Sequence, residues 1–413
     1  MKIYLTIILV ALVGEFLIRS WVRYLNLRAM TPDLPSEFDG FYNAQEYRQS
    51  QQYTRAKTKL AYFSSTVSLV VALALILGGG FNLLDTFGRS FGLLPIPTGL
   101  IFFGLLFLAN DWLSLPFTLY NTFVIEARFG FNKTTILTFV IDKLKSYLLS
   151  LVIGAILLSA ILYFFQKLGG LAWLYAWGLV IILTVLAPPI FTTLIAPLFN
   201  KFTPLEDGAL KTSIRDYTEQ VQFPLRDLFV MDGSRRSAHA NAYFTGFGNQ
   251  KRIVLFDTLI EKHSVEELVS VIAHEVGHYK KKHLLKGMML SIVHSGVLFY
   301  LLSLFIDNRS LFDAFRMDQI SVYAGLIFFG LLYSPIEFAL SIGMHALSRQ
   351  HEYQADAYAV QTLGIAETLI LALKNLSVAN LGNLTPHPIN VFLNYSHPPV
   401  LQRITAMRQL ITE

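Results

Sequence analysis

Seven stretches of the sequence are long and apolar enough to cross a lipid bilayer, and they constrain the fold more than any other feature. Crossing about 30 Å of hydrocarbon takes roughly 20 apolar residues in a helix. Hydrophobic residue types make up 54% of the chain and charged types only 15%, which is typical of a membrane protein. The stretches lie at residues 3–19, 60–84, 98–124, 144–165, 171–194, 284–306 and 320–344. We therefore expect a predominantly α-helical multi-pass membrane protein with seven transmembrane helices.

The basic residues of the connecting segments predict the orientation of these helices. Lys and Arg are enriched in connections on the cytoplasmic side. The first, third and fifth connections carry six, three and twelve of them, against one, one and two in the second, fourth and sixth. We expect the N-terminus outside and the C-terminus inside. Glu15 and Arg19 interrupt the first stretch and no small-residue cleavage site follows it, which favours a retained anchor over a signal peptide.

The composition between the apolar stretches predicts four regions. Residues 1–194 hold five transmembrane helices, 195–283 form a water-exposed region on the cytoplasmic side, 284–344 hold helices six and seven, and 345–413 form a second water-exposed segment. The net charge of +5 fits membrane orientation, and no basic run with interleaved aromatic residues indicates a nucleic-acid partner. The chain has no cysteine, so thiol nucleophiles and Cys-ligated zinc are excluded and any metal is held by His and carboxylates.

Two local patterns organise the first water-exposed region. Alternating apolar residues in HANAYFTGFGNQKRIVLF predict a β-hairpin around a Gly248-Asn249 turn. A helix then begins at Ser264, because Ser264 and Glu267 have the spacing of a capping box in front of an apolar-periodic run.

That helix carries HEVGH, residues 274–278. Two His four positions apart stand on one helical face, where both imidazoles reach one zinc ion and Glu275 is placed to take a proton from water at the metal. The alternative is a pair of surface histidines, His274 and His278, on an amphipathic helix. A catalytic zinc site wants a third protein ligand and an open position.

Glu352, in SRQHEYQADAYA, is the best candidate for the third ligand. Asp356 lies on the same helical face and is suited to orient a zinc-bound imidazole; the alternative is a solvated acidic face. His278 lies six residues before the sixth stretch and Glu352 eight after the seventh, so an excursion across the bilayer and back returns both residues to the same side, about 9 to 12 Å from the membrane ends. The spacing predicts one zinc ion per chain, close to the membrane surface.

Other polar residues are weaker candidates. His397, in NYSHPPVLQR, is placed to donate to a developing oxyanion, or is an ordinary loop histidine. His239 and Asn241, on the first predicted hairpin strand, line a cleft to which a peptide adds as a strand, or are plainly exposed. The remaining histidines are interpreted as structural: His263, His283, His294, His345, His351 and His387. Polar residues in or near the spans indicate either a water-containing space or buried pairs: Asn110, Asp111, Glu126 and Glu337.

Taken together, these motifs resemble the integral-membrane type I CAAX prenyl endopeptidases, which are seven-span zinc metalloproteases. The resemblance runs nearly end to end through FVIEARFGFNKTT, IAPLFNKFTPLEDG, GSRRSAHANAYFTG, HEVGH, EYQAD and YSHPP. It implies His274, His278 and Glu352 as zinc ligands, Glu275 as the base, and Asn241 and His397 near the bound peptide. It also implies helices that enclose a water-filled chamber below a zincin-type catalytic domain on the cytoplasmic face.

The expected function is therefore membrane zinc endoproteolysis, with a peptide or protein substrate that carries a prenylated C-terminal CAAX motif. The compact chain and its RQLITE ending favour a bacterial inner membrane over the endoplasmic reticulum. They also leave open a bacterial-type quality-control metalloprotease without prenyl specificity. A rival of another class is a transporter-like membrane protein with a structural metal, for which we expect a closed four-ligand site.

Overall fold

The computed structural model describes residues 2–246 and 250–412, which are mostly helical. The predicted Gly248-Asn249 turn lies outside these residues. The helices are α1 (Lys2–Arg28), α2 (Ala44–Leu77), α3 (Gly80–Arg89), α4 (Pro95–Tyr120), α5 (Ile136–Lys167), α6 (Ala172–Ile190), α7 (Ala196–Phe199), α8 (Ala209–Gln220), α9 (Asp257–Ile260), α10 (Val265–Lys280), α11 (His283–Phe305), α12 (Arg309–Ala314), α13 (Val322–Leu363), α14 (Glu367–Ala379), α15 (Pro388–Asn394) and α16 (Val400–Thr412). The strands are β1 (Phe202–Pro204), β2 (Leu225–Met231), β3 (Ala242–Thr245) and β4 (Lys251–Phe256).

Within the described ranges, seven helices are long and apolar enough to span a membrane, which confirms the predicted number. They are α1, α2, α4, α5, α6, α11 and α13. Each contacts the next in this order, and α13 also contacts α1. Only 6–22% of the most apolar part of each span is buried inside the protein, so the spans form a ring around a space instead of a close-packed bundle.

Hydrophobic clusters close this ring at both ends. One end is filled by the large aromatic residues Phe81, Phe102, Phe315, Tyr323 and Phe328, which come from α3, α4, the segment after α12 and the start of α13. The opposite end is covered by the water-exposed regions, whose own core is formed largely by residues of β2, β4, α8, α10 and α14. The ring is therefore capped at both ends.

Two of the spans change from α-helix to the wider π-helix where they approach the second cap. Asn121–Glu126 continues α4 as a π-helix, and Phe191–Ile195 continues α6 in the same way. Prolines lie just before both segments and lack the N–H that would bond the preceding turn. The wider turns meet the cap directly, since Thr192 in the second segment contacts the Thr245 hydroxyl at 3.2 Å.

Several helices begin or end away from the limits of the predicted apolar stretches, for identifiable reasons. The second span begins at Ala44, well before residue 60, because Asn43 and Glu46 form a capping box that starts the helix in the polar segment. It stops at Leu77, where Gly79 has a positive φ of 73°. The helix of the seventh span continues past residue 344 without a break to Leu363, because the sequence offers no helix stop before Gly364, which has a φ of 71°.

The predicted hairpin is present but is part of a larger sheet. Strand β3 pairs antiparallel with β4, as expected. Strand β4 also pairs in parallel with β2, and β2 pairs with β1, which gives the order β1-β2-β4-β3. Strand β3 is therefore an edge strand. His239 and Asn241 precede β3, which begins at Ala242, so their predicted place on the strand was wrong.

The first connection also belongs to the second cap. Phe38, Tyr42 and Tyr47 are buried in the same core as Ile272 and Ile370. The predicted division at residue 194, which treats everything before it as membrane helices, leaves this segment out.

Candidate active site

The helix that carries HEVGH is held at its start by one of the two predicted capping bonds. Ser264 Oγ accepts a hydrogen bond from the Glu267 amide at 3.3 Å. The second bond of a capping box, from the Ser264 amide to the Glu267 carboxylate, is not formed. The Glu267 carboxylate pairs with His263 at 2.6 Å and accepts from Asn375 at 3.0 Å, which ties the start of α10 to α14.

Gly277, inside HEVGH, lets the two central helices approach each other. A Cβ at this position would lie 2.9 Å from the Ala355 carbonyl oxygen and 3.0 Å from the Ala355 Cα. Backbone atoms do not move away as a flexible side chain does, so only glycine allows this crossing of α10 and α13. The crossing brings the imidazoles of one helix to the carboxylates of the other.

The two histidines of α10 meet Glu352 of α13 at this crossing. His274 Nε2 and His278 Nε2 lie 3.2 Å apart. Glu352 places its two carboxylate oxygens 3.5 Å from His274 Nε2 and 3.3 Å from His278 Nε2. All three ligand atoms fall within 4.8 Å of one another. The structure thus brings together the three residues that the sequence predicts as a ligand set.

This arrangement fits a metal ion. Glu352 Oε2 is buried and accepts no hydrogen bond from any described residue, although the Arg403 guanidinium lies 3.4 Å away. A metal ion would supply the partner that this buried oxygen lacks. Two imidazoles and one carboxylate are also the donor set of catalytic zinc sites, which keep a further position open.

Asp356, one turn after Glu352, holds His274 from behind. Its Oδ1 lies 2.8 Å from His274 Nδ1, so Nδ1–H donates to the carboxylate and Nε2 is left to face the ligand cluster. Burial alone would lower the pKa of His274, but the neighbouring carboxylates of Asp356 and Glu352 outweigh it and raise the pKa to about 9. The predicted orienting position of Asp356 matches this geometry.

Arg403 of α16 completes this side of the site, and the sequence analysis missed it. The buried guanidinium donates two hydrogen bonds to Asp356, at 2.8 and 2.6 Å, and lies 3.4 Å from Glu352. It thus partly neutralises two buried carboxylates. No short motif surrounds Arg403, and only the three-dimensional fold brings α16 to α13.

His283, interpreted from the sequence as structural, contacts the second imidazole on the side away from Glu352, and its spacing did not indicate this contact. His278 Nδ1 lies 3.0 Å from His283 Nδ1, and His283 Nε2 lies 2.9 Å from the Gln354 amide oxygen. Since Gln354 accepts from Nε2–H, His283 Nδ1 is free to accept from His278 Nδ1–H. His351 stacks on His283 with ring centroids 3.9 Å apart. The two histidines of HEVGH thus each have an acceptor behind them.

Glu275 and His397 occupy different surroundings. Burial raises the pKa of Glu275, although the neighbouring histidine charges act in the opposite direction. His397 is exposed, and its Nε2 lies 3.4 Å from Glu352 Oε1. The tail therefore reaches the ligand cluster from the open side.

The other two predicted residues lie further out. His239 stacks on Phe131 at 4.0 Å and bonds Asn380 through Nδ1 at 3.1 Å, and these contacts anchor the segment before β3 while the side chain stays 38% exposed. Asn241 is exposed next to the edge strand, and its carbonyl accepts from the Phe256 amide at 3.1 Å. No described contact joins either residue to His274.

Three of the four polar residues in or near the spans are paired. Asp111 bonds Lys143 and Tyr147, Glu126 bonds Lys57 and Tyr53 at 2.7 and 2.9 Å, and Glu337 lies 3.2 Å from His294. The structure therefore favours side-chain pairing for these three carboxylates.

A membrane-embedded ring of helices, capped by an HExxH helix that meets a glutamate from the seventh span, defines an integral-membrane metallopeptidase, a hydrolase. Comparisons with known proteins give the family. Residues 23–201 match the family model described as "CAAX prenyl protease N-terminal, five membrane helices", and residues 204–411 match peptidase family M48. The chain belongs to peptidase family M48.

Similar proteins cover almost the whole chain. "CAAX prenyl protease 1 homolog" of Arabidopsis thaliana is 38% identical over 93% of this chain and 93% of its own length. "CAAX prenyl protease 1" of Saccharomyces cerevisiae is 34% identical over 96% and 93%. The crystal structure of S. mikatae Ste24p superposes with a TM-score of 0.92 at 35% identity, over 98% of this chain and 99% of that one.

These relatives bear on the expected location. The two curated relatives come from a plant and a yeast, so the similarity does not favour the bacterial inner membrane expected from the compact chain. The multi-pass membrane character stands. The metallopeptidase family also removes the basis for the transporter alternative.

Proposed function

We propose that the chain is a zinc endopeptidase in which His274, His278 and Glu352 hold one zinc ion. The observation that carries this proposal is the convergence of their three ligand atoms within 4.8 Å. A zinc ion held there supplies Lewis acidity that activates water and polarises the scissile carbonyl. No fourth protein ligand joins this group among the described residues, as a catalytic site requires.

Glu275 moves the proton of the reaction. It takes a proton from the attacking water, whose oxygen forms the new bond to the scissile carbon, and passes that proton to the leaving amine as the C–N bond breaks. Its raised pKa suits both directions of transfer, because a base and its conjugate acid work best when the pKa lies near the working pH. Asp356 keeps His274 in the tautomer and orientation that ligation needs.

His397 and the edge strand position the substrate. His397 approaches Glu352 from the exposed side, where its N–H donates to the oxyanion that develops on the scissile carbonyl. Among the described strands, β3 pairs only with β4, so its other edge is available for an extended peptide to add as a strand. Asn241 lies at the start of this edge and contacts the peptide there, while His239 supports the segment through Asn380.

The substrate is a membrane-associated polypeptide with a prenylated C-terminal CAAX motif, and cleavage removes its last three residues. Support comes from relatives named CAAX prenyl protease 1 that cover more than nine-tenths of the chain. The site lies on the cytoplasmic side, as the distribution of Lys and Arg predicts. A metalloprotease of the same family without prenyl specificity is the second candidate, because no described residue is tied to prenyl recognition.

One assay tests the reaction and separates the two candidates. Purified protein is incubated with a farnesylated CAAX peptide and with its unprenylated counterpart, and the Glu275→Gln variant serves as the blank. We expect cleavage of the farnesylated peptide alone. Equal cleavage of both peptides would favour the broader peptidase, and cleavage by Glu275→Gln would refute the assigned base.

The ligand set has its own test. Glu352→Ala is expected to lower the zinc content of the purified protein, measured by elemental analysis. An unchanged ratio of zinc to protein would remove Glu352 from the ligand set.

A further inference from the structure

A groove on α2 and α4 takes no part in the chemistry proposed above. A cavity of about 720 Å³ lies between α2 and the end of α4, and a second of about 440 Å³ adjoins it. Both are lined by Gln52, Arg128 and Phe129, so they form one continuous depression, which we call the basic groove.

The α2 wall of the basic groove changes from polar to apolar along a single helical face. Arg48, Gln52, Arg55, Lys59 and Phe63 line the two cavities and follow one another at spacings of four, three, four and four residues. Such spacings place side chains in one stripe, and this one is about 22 Å long. The apolar run of α2 starts at residue 60, so the stripe passes from water into hydrocarbon with Arg55 and Lys59 at the boundary.

The cations of the basic groove lack acidic partners. Within the described ranges, no ion pair involves Arg55, Lys59 or Arg128, whereas Lys57 pairs with Glu126 at 2.7 Å. Arg55, Lys59 and Arg128 are exposed. Three neighbouring cations without a counter-charge favour an anion from outside the chain.

The basic groove faces away from the catalytic cap. Lys57 lies about 200° around the helix from Arg55 and points to Glu126 and His239 beneath the cap. Tyr47 and Ser50 are buried, and Tyr47 belongs to the core of the cap. The stripe that carries Arg55 therefore lies on the outer surface of the ring, where the surrounding medium is lipid.

The deeper half of the basic groove is apolar. Phe63 and Phe117 contact each other edge to face at 5.6 Å and join α2 to α4. Phe63, Tyr120 and Val124 are exposed apolar residues along the walls of the larger cavity. An acyl chain fits this apolar half of the groove, and an anionic group fits the half that carries the three cations.

We propose that the basic groove binds an anionic phospholipid. The phosphate lies among Arg55, Lys59 and Arg128, where Arg pairs well with phosphate oxygens, and one acyl chain runs along Phe63 and Tyr120. The charge complementarity and the outward orientation select a membrane lipid over a substrate bound inside the ring. The bound lipid bridges the cytoplasmic ends of α2 and α4, directly behind the Glu126 cluster.

The test measures the binding of defined lipids to purified protein by native mass spectrometry. Phosphatidic acid is compared with phosphatidylcholine for wild type and for the double variant Arg55→Gln, Arg128→Gln. The control double variant, Arg28→Gln with Lys201→Gln, removes the same charge from the same end of the molecule outside the groove. We expect the first variant to bind phosphatidic acid about tenfold or more weakly and the control to bind it like wild type.

Several outcomes would overturn the proposal. Equal binding of both lipids by wild type would show that the groove does not select an anionic headgroup and would refute the proposal. Equal weakening in both double variants would reduce the effect to general charge attraction. A raised KM for the farnesylated peptide in the groove variant, with unchanged lipid binding, would assign the groove to the substrate. If the double variant does not fold, Lys59→Gln replaces it, and unaltered affinity for phosphatidic acid would refute the proposal.

Discussion

Replacing His283 by Phe is expected to weaken binding of the proposed zinc ion without removing one of its proposed ligands. His278 Nδ1 faces His283 Nδ1 at 3.0 Å, and Phe leaves that N–H without an acceptor. Loss of such a supporting partner typically lowers metal affinity about 10–100-fold. The His278 side chain is 20% exposed, so water replaces part of the lost hydrogen bond. We therefore expect a value near tenfold, or about 1.4 kcal/mol.

The neighbouring ring offers a matched control. Phe at position 283 preserves the stack on His351, whose ring lies 3.9 Å away and is inclined by only 10°. His351→Phe makes the same chemical change one ring further from the cluster and leaves the His278–His283 contact in place. We expect His351→Phe to bind zinc like wild type.

The assay is competition for zinc against a chelator of known affinity, with both variants purified in the same detergent. Zinc affinity is measured independently of turnover, so a general loss of activity does not imitate the predicted effect. Equal zinc affinity of His283→Phe and His351→Phe would refute the reasoning. A complete loss of zinc in His283→Phe would also contradict it, because that result would make His283 a ligand itself.

Three further substitutions test the packing and the charges around the site. Gly277→Ala is expected to separate α10 from α13 and destabilise the protein by about 1–3 kcal/mol. The control Gly343→Ala, whose Cβ meets nothing within 4 Å, is expected to be neutral or stabilising. Thermal unfolding distinguishes the two variants, and equal effects would disprove the argument that only glycine fits at position 277. Arg403→Met removes two hydrogen bonds and a compensating charge from buried Asp356, which keeps its bond to His274, and is expected to destabilise the protein by about 3–5 kcal/mol; an unchanged melting temperature would contradict this. Tyr217→Phe removes the 2.8 Å hydrogen bond to the Thr362 hydroxyl and is expected to lower the free energy of unfolding by only about 0.5–1.5 kcal/mol. Thermal unfolding measures this change, and a larger loss would mean that the Tyr217 hydroxyl has a second role.

Local spacing predicted the parts of the site that lie on one helix. His274 and His278 share a face because they are four residues apart, and so do Glu352 and Asp356. The two pairs are distant in sequence, and they meet because the chain crosses the membrane and returns between them. Each of these inferences needs only helix geometry and the length of an apolar run, and both are visible in the sequence.

The missed residues depend on breaks and on long-range packing. On a continuous helix, five residues would place His283 about 140° from His278, so the spacing argued against contact. Lys282 instead adopts a left-handed conformation with a φ of 58°, which ends α10 and turns the chain so that the first residue of α11 faces back. A lysine between two helical runs carries no turn signal of the kind that glycine or proline gives.

The ligand geometry is coupled to the membrane helices through these same features. Glu352 and Asp356 lie on the continuation of the seventh span, a single helix of 42 residues, and His278 contacts the first residue of the sixth span. A small tilt of either span therefore moves one ligand relative to the other two, since a rigid helix transmits its tilt along its length. The catalytic cap thus depends on the spans for the position of Glu352, the proposed carboxylate ligand.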